Sequence, residues 1–187
     1  MSGLPAKIVA LHSALERAKL PHAFGGALAL AWCTQRARGT IDIDVNVFVR
    51  GDHAEVVFRS LPKRVRWSVK DLEIIRRDGQ VRLWWDDVPL DIFLNTTDLH
   101  EELADRTRWE TFAGRRIPFL SCRDLAVFKA FFNRTKDWAD LEEMHAAGTL
   151  HVAGVASVLT GFLGAADERV ARLLDLPRKS PPGEIED

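Results

Sequence analysis

Apolar and polar positions change their rhythm once along this chain. Up to about Leu120, stretches that alternate residue by residue are interspersed with stretches at helical spacing. From Ser121 onward only the helical spacing remains. Ile8, Leu11 and Leu15 predict an amphipathic helix over Pro5–Lys19, which Pro21 ends. His22-Ala23-Phe24 predicts a short strand, Gly25-Gly26 a turn, and Ala27 to about Arg36 a second helix, followed by a loop ending at Gly39. Thr40–Val49 alternates as a strand. Ile41, Ile43, Val45, Val47 and Val49 share one face, and Asp42, Asp44 and Asn46 the other.

The remaining elements follow from the same rules. Asp52 with Glu55 reads as a capping box for a helix over Asp52–Leu61. Lys63–Arg77 reads as strand-like and basic, with Gly79 as a hairpin turn into a strand over Val81–Trp85. Val88–Leu94 alternates again and carries Asp91 on its polar face; Pro89 sets its start at an edge or an irregularity. Asp98 and Glu101 make a second capping-box match, and Arg106–Phe119 reads as a hairpin around Gly114. Ser121 with Asp124 caps a helix over Leu125–Phe132. Thr135 caps Lys136–Ala147, which Gly148 closes, and helices follow near Val152–Leu163 and Ala166–Leu174. The pattern predicts an α+β fold. A mixed sheet flanked by helices spans residues 1–120, a small helical region spans 121–176, and the proline-rich, charged tail 177–187 is expected to be disordered.

Composition narrows the class. With 47% hydrophobic and 28% charged residues among 187, the chain matches an ordinary globular protein. A net charge of −1 removes overall basicity as a pointer to nucleic acid. The longest apolar run, Ala27–Cys33, is far below the ~20 residues that span a bilayer, and no basic segment precedes a long apolar run at the N-terminus. A cytoplasmic protein without a membrane role is expected. Cys33 and Cys122 read as two reduced, buried thiols.

The polar face of the alternating strands carries the chemistry. Residues two apart on a strand point the same way, so Asp42 and Asp44 set two carboxylates side by side. Aspartate suits strands poorly, and such neighbours repel unless a cation joins them. Oxygen-only ligands suit Mg²⁺, and Asp91 on a neighbouring strand would complete a two-metal site. Gly25-Gly26 allows positive φ and close approach of backbone to ligand, with amides of the following helix free to hold phosphate. Taken singly, two aspartates also fit a solvated strand face, and a glycine pair also fits a plain turn. Arg59–Arg77 holds seven basic and two acidic residues around Trp67. Trp84, Trp85, Arg106, Arg108, Arg115 and Arg116 follow, a mixture that suits RNA as well as a balanced surface.

Together, Gly25-Gly26, Arg38-Gly-Thr40-Ile-Asp42-Ile-Asp44 and Asp91 resemble the nucleotidyltransferase superfamily with the polymerase-β-like fold. The R-x-T-x-D-x-D form is similar to AbiEii-type toxins of bacterial abortive-infection and toxin–antitoxin systems. Lys129 and Arg134-Thr-Lys136-Asp137-Trp-Ala-Asp140-Leu resemble segments in the helical part of that group. The chain departs from the group in its shorter length and in Ala27, where a serine is frequent.

The resemblance implies that Asp42, Asp44 and Asp91 bind two Mg²⁺ ions and that Asp91 assists the acceptor hydroxyl. It implies nucleoside triphosphate contacts at Gly25, Gly26, Thr40, Lys129, Lys136 and Asp137, with Lys129 also catalytic and Asp140 bracing its helix. It further implies transfer of NMP to an RNA or tRNA acceptor or to protein, and a cognate antitoxin. Two alternatives stay open. One is a small-molecule, aminoglycoside-type nucleotidyltransferase, which also resembles the glycine and D-I-D pattern. The other is a non-catalytic relative that binds nucleotide or RNA.

Overall fold

The computed structural model describes residues 3–37, 39–96 and 103–176. Arg38, the Asp98–Glu101 capping-box match and the tail 177–187 lie outside them. Among the described residues the fold is α+β, with a seven-stranded mixed sheet and eight α-helices. In chain order these are α1 (Leu4–Arg17), β1 (His22–Phe24), α2 (Gly26–Thr34), β2 (Ile43–Arg50), α3 (Ala54–Ser60), β3 (Val65–Arg66), α4 (Val69–Asp78), β4 (Gln80–Trp85) and β5 (Val88–Asn95). They continue with β6 (Arg108–Phe112), β7 (Arg115–Phe119), α5 (Cys122–Phe132), α6 (Thr135–Ala146), α7 (Val152–Leu163) and α8 (Glu168–Asp175).

The chain forms two compact units. The first holds the residues up to Ala29 and those up to Leu120; the second takes Leu30–Ala37 and resumes at Ser121. In the first, the strands run in the order β3-β4-β5-β2-β1-β7-β6. β2 lies parallel to β5 and β1 to β7, and the other pairs are antiparallel. One sheet face is apolar: Ile43, Val45 and Val47 on β2, Leu90, Ile92 and Leu94 on β5, and Val81, Leu83 and Trp85 on β4 are all buried. Each such side chain contributes about 1.5–3 kcal/mol on leaving water. Helices α1, α3 and α4 pack against one another and the sheet. Pro89 precedes the first β2–β5 pair, Ile43 with Leu90, so its missing N–H falls beyond the end of that ladder.

Several elements differ from the sequence reading. The strand expected from Thr40 starts at Ile43, and Ile41 is 80% exposed. Asp42 therefore sits in the bend before the strand. A 3₁₀ turn over Gly51–His53 replaces the expected start of the next helix; Asp52 pairs with His53 and Glu55 with Arg59, so neither caps it. The largest correction is Lys63–Arg77. It holds only the two-residue β3 and then α4, because Ser68 and Asp71 form a reciprocal capping box and Leu72 and Ile75 bury a helical stripe. Gly79 (φ 71°) is the left-handed cap of α4. The hairpin turn falls at Asp86-Asp87.

The second unit packs α5 against α6, α7 and α8 over Leu125, Ala130, Leu141, Met144, Val155 and Leu159. Ser121 accepts the Asp124 amide as expected. Arg134, rather than Thr135, occupies the N-cap of α6, where the Asp137 carboxylate receives its amide. The cysteines are corrected too: Cys33 at the end of α2 and Cys122 at the start of α5 form a disulfide, with Cα atoms 5.6 Å apart. Separation by 89 residues hid a pairing that the fold brings into range. Among the described residues no helix is long and apolar enough to cross a membrane.

Candidate active site

The parallel register of β2 and β5 pairs Asp44 directly with Asp91, which places both on the sheet face opposite the apolar one. Asp42 precedes them by one bend. Its Oδ1 accepts the Thr40 hydroxyl at 2.6 Å, and that hydroxyl also lies 3.2 Å from the Asp42 carbonyl oxygen. Thr40 thus fixes the carboxylate that no strand ladder holds.

The glycine pair closes on the same point. The Gly25 amide donates to the Asp44 carbonyl at 2.9 Å, fastening the end of β1 to β2. Gly26 opens α2 at φ 53°, and a Cβ there would lie 1.9 Å from Asp44 Oδ2. Only glycine leaves room for that carboxylate and takes that backbone conformation without cost.

Sequence reading missed the cation of the site. Arg82 on β4 stands opposite Asp91 in the antiparallel β4–β5 register. Its guanidinium grips Asp91 with two parallel bonds, Nε to Oδ1 at 2.7 Å and Nη2 to Oδ2 at 2.6 Å. Nη2 also lies 3.9 Å from Asp42 Oδ2. The bonds to Asp91, then the charges of Asp91, Asp42 and Asp44, hold Arg82 protonated more firmly than an ordinary arginine. Period-two alternation alone puts Arg82 on an exposed face; only strand pairing reveals what it meets.

Lys129, Lys136, Asp137 and Asp140 belong to the second unit. Lys129 is buried and donates to Asp140 Oδ2 at 2.5 Å, with Asp137 Oδ1 at 3.6 Å. Arg134 adds a forked contact to Asp137 at 2.6 and 3.1 Å. Positions 129–140 do not make one continuous helix face. Asn133 turns left-handed (φ 57°) between α5 and α6, which buries Asp137 and Asp140 and leaves Lys136 exposed.

The basic run is largely answered by acids of its own surroundings. Arg59 and Arg76 meet Glu55, Arg77 meets Asp78, and Arg64 meets Asp86. Trp67 packs on Phe58 with centroids 5.3 Å apart, and Trp85 is buried. Trp84 is 49% exposed. It shares a face with Arg82, two residues away, and with exposed Arg66, its partner on β3.

No protein-family model and no curated protein matches this chain. Solved structures do. The antibiotic-resistance factor ANT(2'')-Ia in solution superimposes with a TM-score of 0.59 at 19% identity, over 94% of this chain and 97% of its own. The lincosamide antibiotic adenylyltransferase LnuA with lincomycin bound gives 0.52 at 16% identity, over 76% and 96%. An antigenic nucleotidyltransferase-like protein from Paracoccidioides brasiliensis gives 0.52 at 12% identity, over 91% and 92%. The fold is the nucleotidyltransferase fold.

The carboxylates of Asp42, Asp44 and Asp91 have the all-oxygen chemistry that suits Mg²⁺, and Gly26 leaves room for that of Asp44. Among the described residues, no three His, Cys, Asp or Glu side chains converge on one metal position as the side chains stand. Arg82 on Asp91 and Thr40 on Asp42 are donors of the protein itself that engage this cluster.

Proposed function

We propose that this protein is a Mg²⁺-dependent nucleotidyltransferase that moves NMP from a nucleoside triphosphate to an acceptor hydroxyl. The observation that carries the reading is the direct pairing of Asp44 with Asp91 over a Gly26 turn that admits no side chain. Asp42, Asp44 and Asp91 would hold the metal. Bound there, two Mg²⁺ ions supply charge neutralisation for the triphosphate and acidify the acceptor hydroxyl. Gly25 and Gly26 present backbone at the start of α2 for the phosphates, and Thr40 orients Asp42 beside them. Lys129, Lys136 and Asp137 are assigned to nucleotide binding on the sequence resemblance. The Lys129 ammonium carries three donors, so its carboxylate contacts do not exhaust it.

The acceptor we propose is RNA, a tRNA 3′ end included, or a protein hydroxyl, in an AbiEii-type toxin restrained by a cognate antitoxin. Its support is the row of Arg66, Trp84 and Arg82 beside Asp91, where a base can stack and phosphates can pair. A second reading is transfer to a small hydroxylated antibiotic. It draws support from the near full-length likeness to ANT(2'')-Ia and from the internal pairing of Arg59, Arg64, Arg76 and Arg77. The two separate in one experiment. Each α-labelled NTP is incubated with Mg²⁺ and either total RNA or a panel of aminoglycosides and lincosamides, with Asp44→Asn as control. Label on a discrete RNA or protein band supports the toxin reading, and label on a drug supports the second. Label that persists in the control overturns both.

A further inference from the structure

The acidic site already contains a cation, and that cation is part of the chain. We propose that Arg82 is a built-in counter-ion latch: it holds Asp91 and leans on Asp42 in the metal-free protein, and must withdraw before a divalent ion binds there. This inference rests on the metal-dependent reading above.

Three observations support it. First, both Asp91 oxygens are engaged by a forked guanidinium at 2.6 and 2.7 Å, and Arg82 Nη2 also faces Asp42 at 3.9 Å. A divalent ion bridging Asp91 to Asp42 or Asp44 would have to lie against that positive group, and like charges at contact range exclude each other. Second, Asp42 is engaged as well, accepting the Thr40 hydroxyl at 2.6 Å, so an ion joining Asp42 to Asp91 meets carboxylates that the protein already holds. Third, the Arg82 side chain is 52% exposed, on a sheet face that shares the half-exposed Trp84. Its flexible stem has solvent to swing into, so the guanidinium can leave Asp91 without moving the strand that carries it.

The latch has a consequence for the order of binding. A bare divalent ion must displace Arg82 and brings no anion of its own to receive the guanidinium. An ion that arrives with a nucleoside triphosphate brings anionic oxygens with which a displaced guanidinium can pair. Arg82 therefore discourages bare metal and favours the metal–nucleotide complex. It acts as a positioning residue and not as a catalytic group.

The test measures metal binding without turnover. Free Mn²⁺ is followed by electron paramagnetic resonance as it is titrated into wild type, Arg82→Gln, Arg82→Lys and Asp44→Asn, with and without a non-hydrolysable nucleotide. Circular dichroism confirms that each variant is folded. Arg82→Gln should bind bare Mn²⁺ about tenfold or more tighter than wild type, about 1.4 kcal/mol. Arg82→Lys, which keeps the charge without the fork, should fall between them. With nucleotide present, the advantage of Arg82→Gln should disappear or reverse. Unchanged or weaker Mn²⁺ binding by Arg82→Gln, while Asp44→Asn abolishes binding, overturns the latch and leaves the metal site standing. Mn²⁺ binding that Asp44→Asn does not affect overturns the metal reading, and the latch with it.

Discussion

Replacing Gly26 by alanine tests how tightly the turn and the carboxylate depend on each other. The new Cβ would lie 1.9 Å from Asp44 Oδ2 and 2.6 Å from Asp44 Cγ, whereas Cβ contacts essentially never fall below 3.0 Å. The Asp44 carboxylate must retreat by roughly 1 Å, and a misplacement of that size can cost about 10²-fold in rate. Alanine at φ 53° adds backbone strain of about 1–2 kcal/mol. Gly25→Ala is the internal control. Its Cβ would meet Asn46 Nδ2 at 3.1 Å and the end of the Leu120 side chain at 3.3 Å, contacts that a few tenths of an ångström relieve. Urea denaturation should show Gly26→Ala about 1–2 kcal/mol less stable than wild type. A labelled-NTP transfer assay should show the loss of about 10²-fold, with Gly25→Ala losing far less. Wild-type transfer by Gly26→Ala, or a greater loss in Gly25→Ala, would refute the reasoning.

Three further predictions follow from other parts of the molecule. Changing Cys33 and Cys122 to serine opens a loop of 89 residues, and chain entropy sets the cost at about 4.6 kcal/mol; equal urea midpoints with and without the bond would sink this. Lys129→Met leaves Asp140 buried without its cation and should cost about 3–5 kcal/mol, more than any surface lysine change, as read by thermal unfolding. Burial lowers the His22 pKa from 6.5 to about 4, with its Nδ1 on the Leu20 carbonyl and His12 against its Nε2. The unfolded chain then binds the extra proton between those values, so stability is full above pH 6.5 and falls by about 3 kcal/mol as pH drops through 4. His22→Gln should flatten that slope, and an unaltered slope would count against the buried neutral imidazole.

The alternating strands and the helical C-terminal region were legible in the sequence because each rests on one periodic face. Val88–Leu94 and the Gly114 hairpin fall where the pattern puts them. Lys63–Arg77 differs from the expected strand because the Ser68-x-x-Asp71 cap and the Leu72/Ile75 spacing specify α4 within a stretch whose charges mask the helical stripe. Asp42 left the strand because the β2–β5 ladder begins one residue later, at Ile43. What no local pattern carries is pairing between distant positions. Arg82 meeting Asp91 and Cys33 meeting Cys122 both depend on register and topology, which one-dimensional spacing does not encode. The carboxylates themselves were visible because aspartate is out of place among β-branched neighbours.

The most direct test of the central claim is the rate of NMP transfer from labelled NTP by wild type against Asp44→Asn and Asp91→Asn, at saturating Mg²⁺ and with the acceptor that takes up label in the incubation with RNA or the antibiotic panel. Transfer by wild type and a loss of at least about 10²–10³-fold in each variant are expected, since in the proposed site each change removes a carboxylate charge that would hold the metal. Transfer within tenfold of wild type by either variant would contradict the claim, and would move the reaction away from the paired carboxylates of β2 and β5.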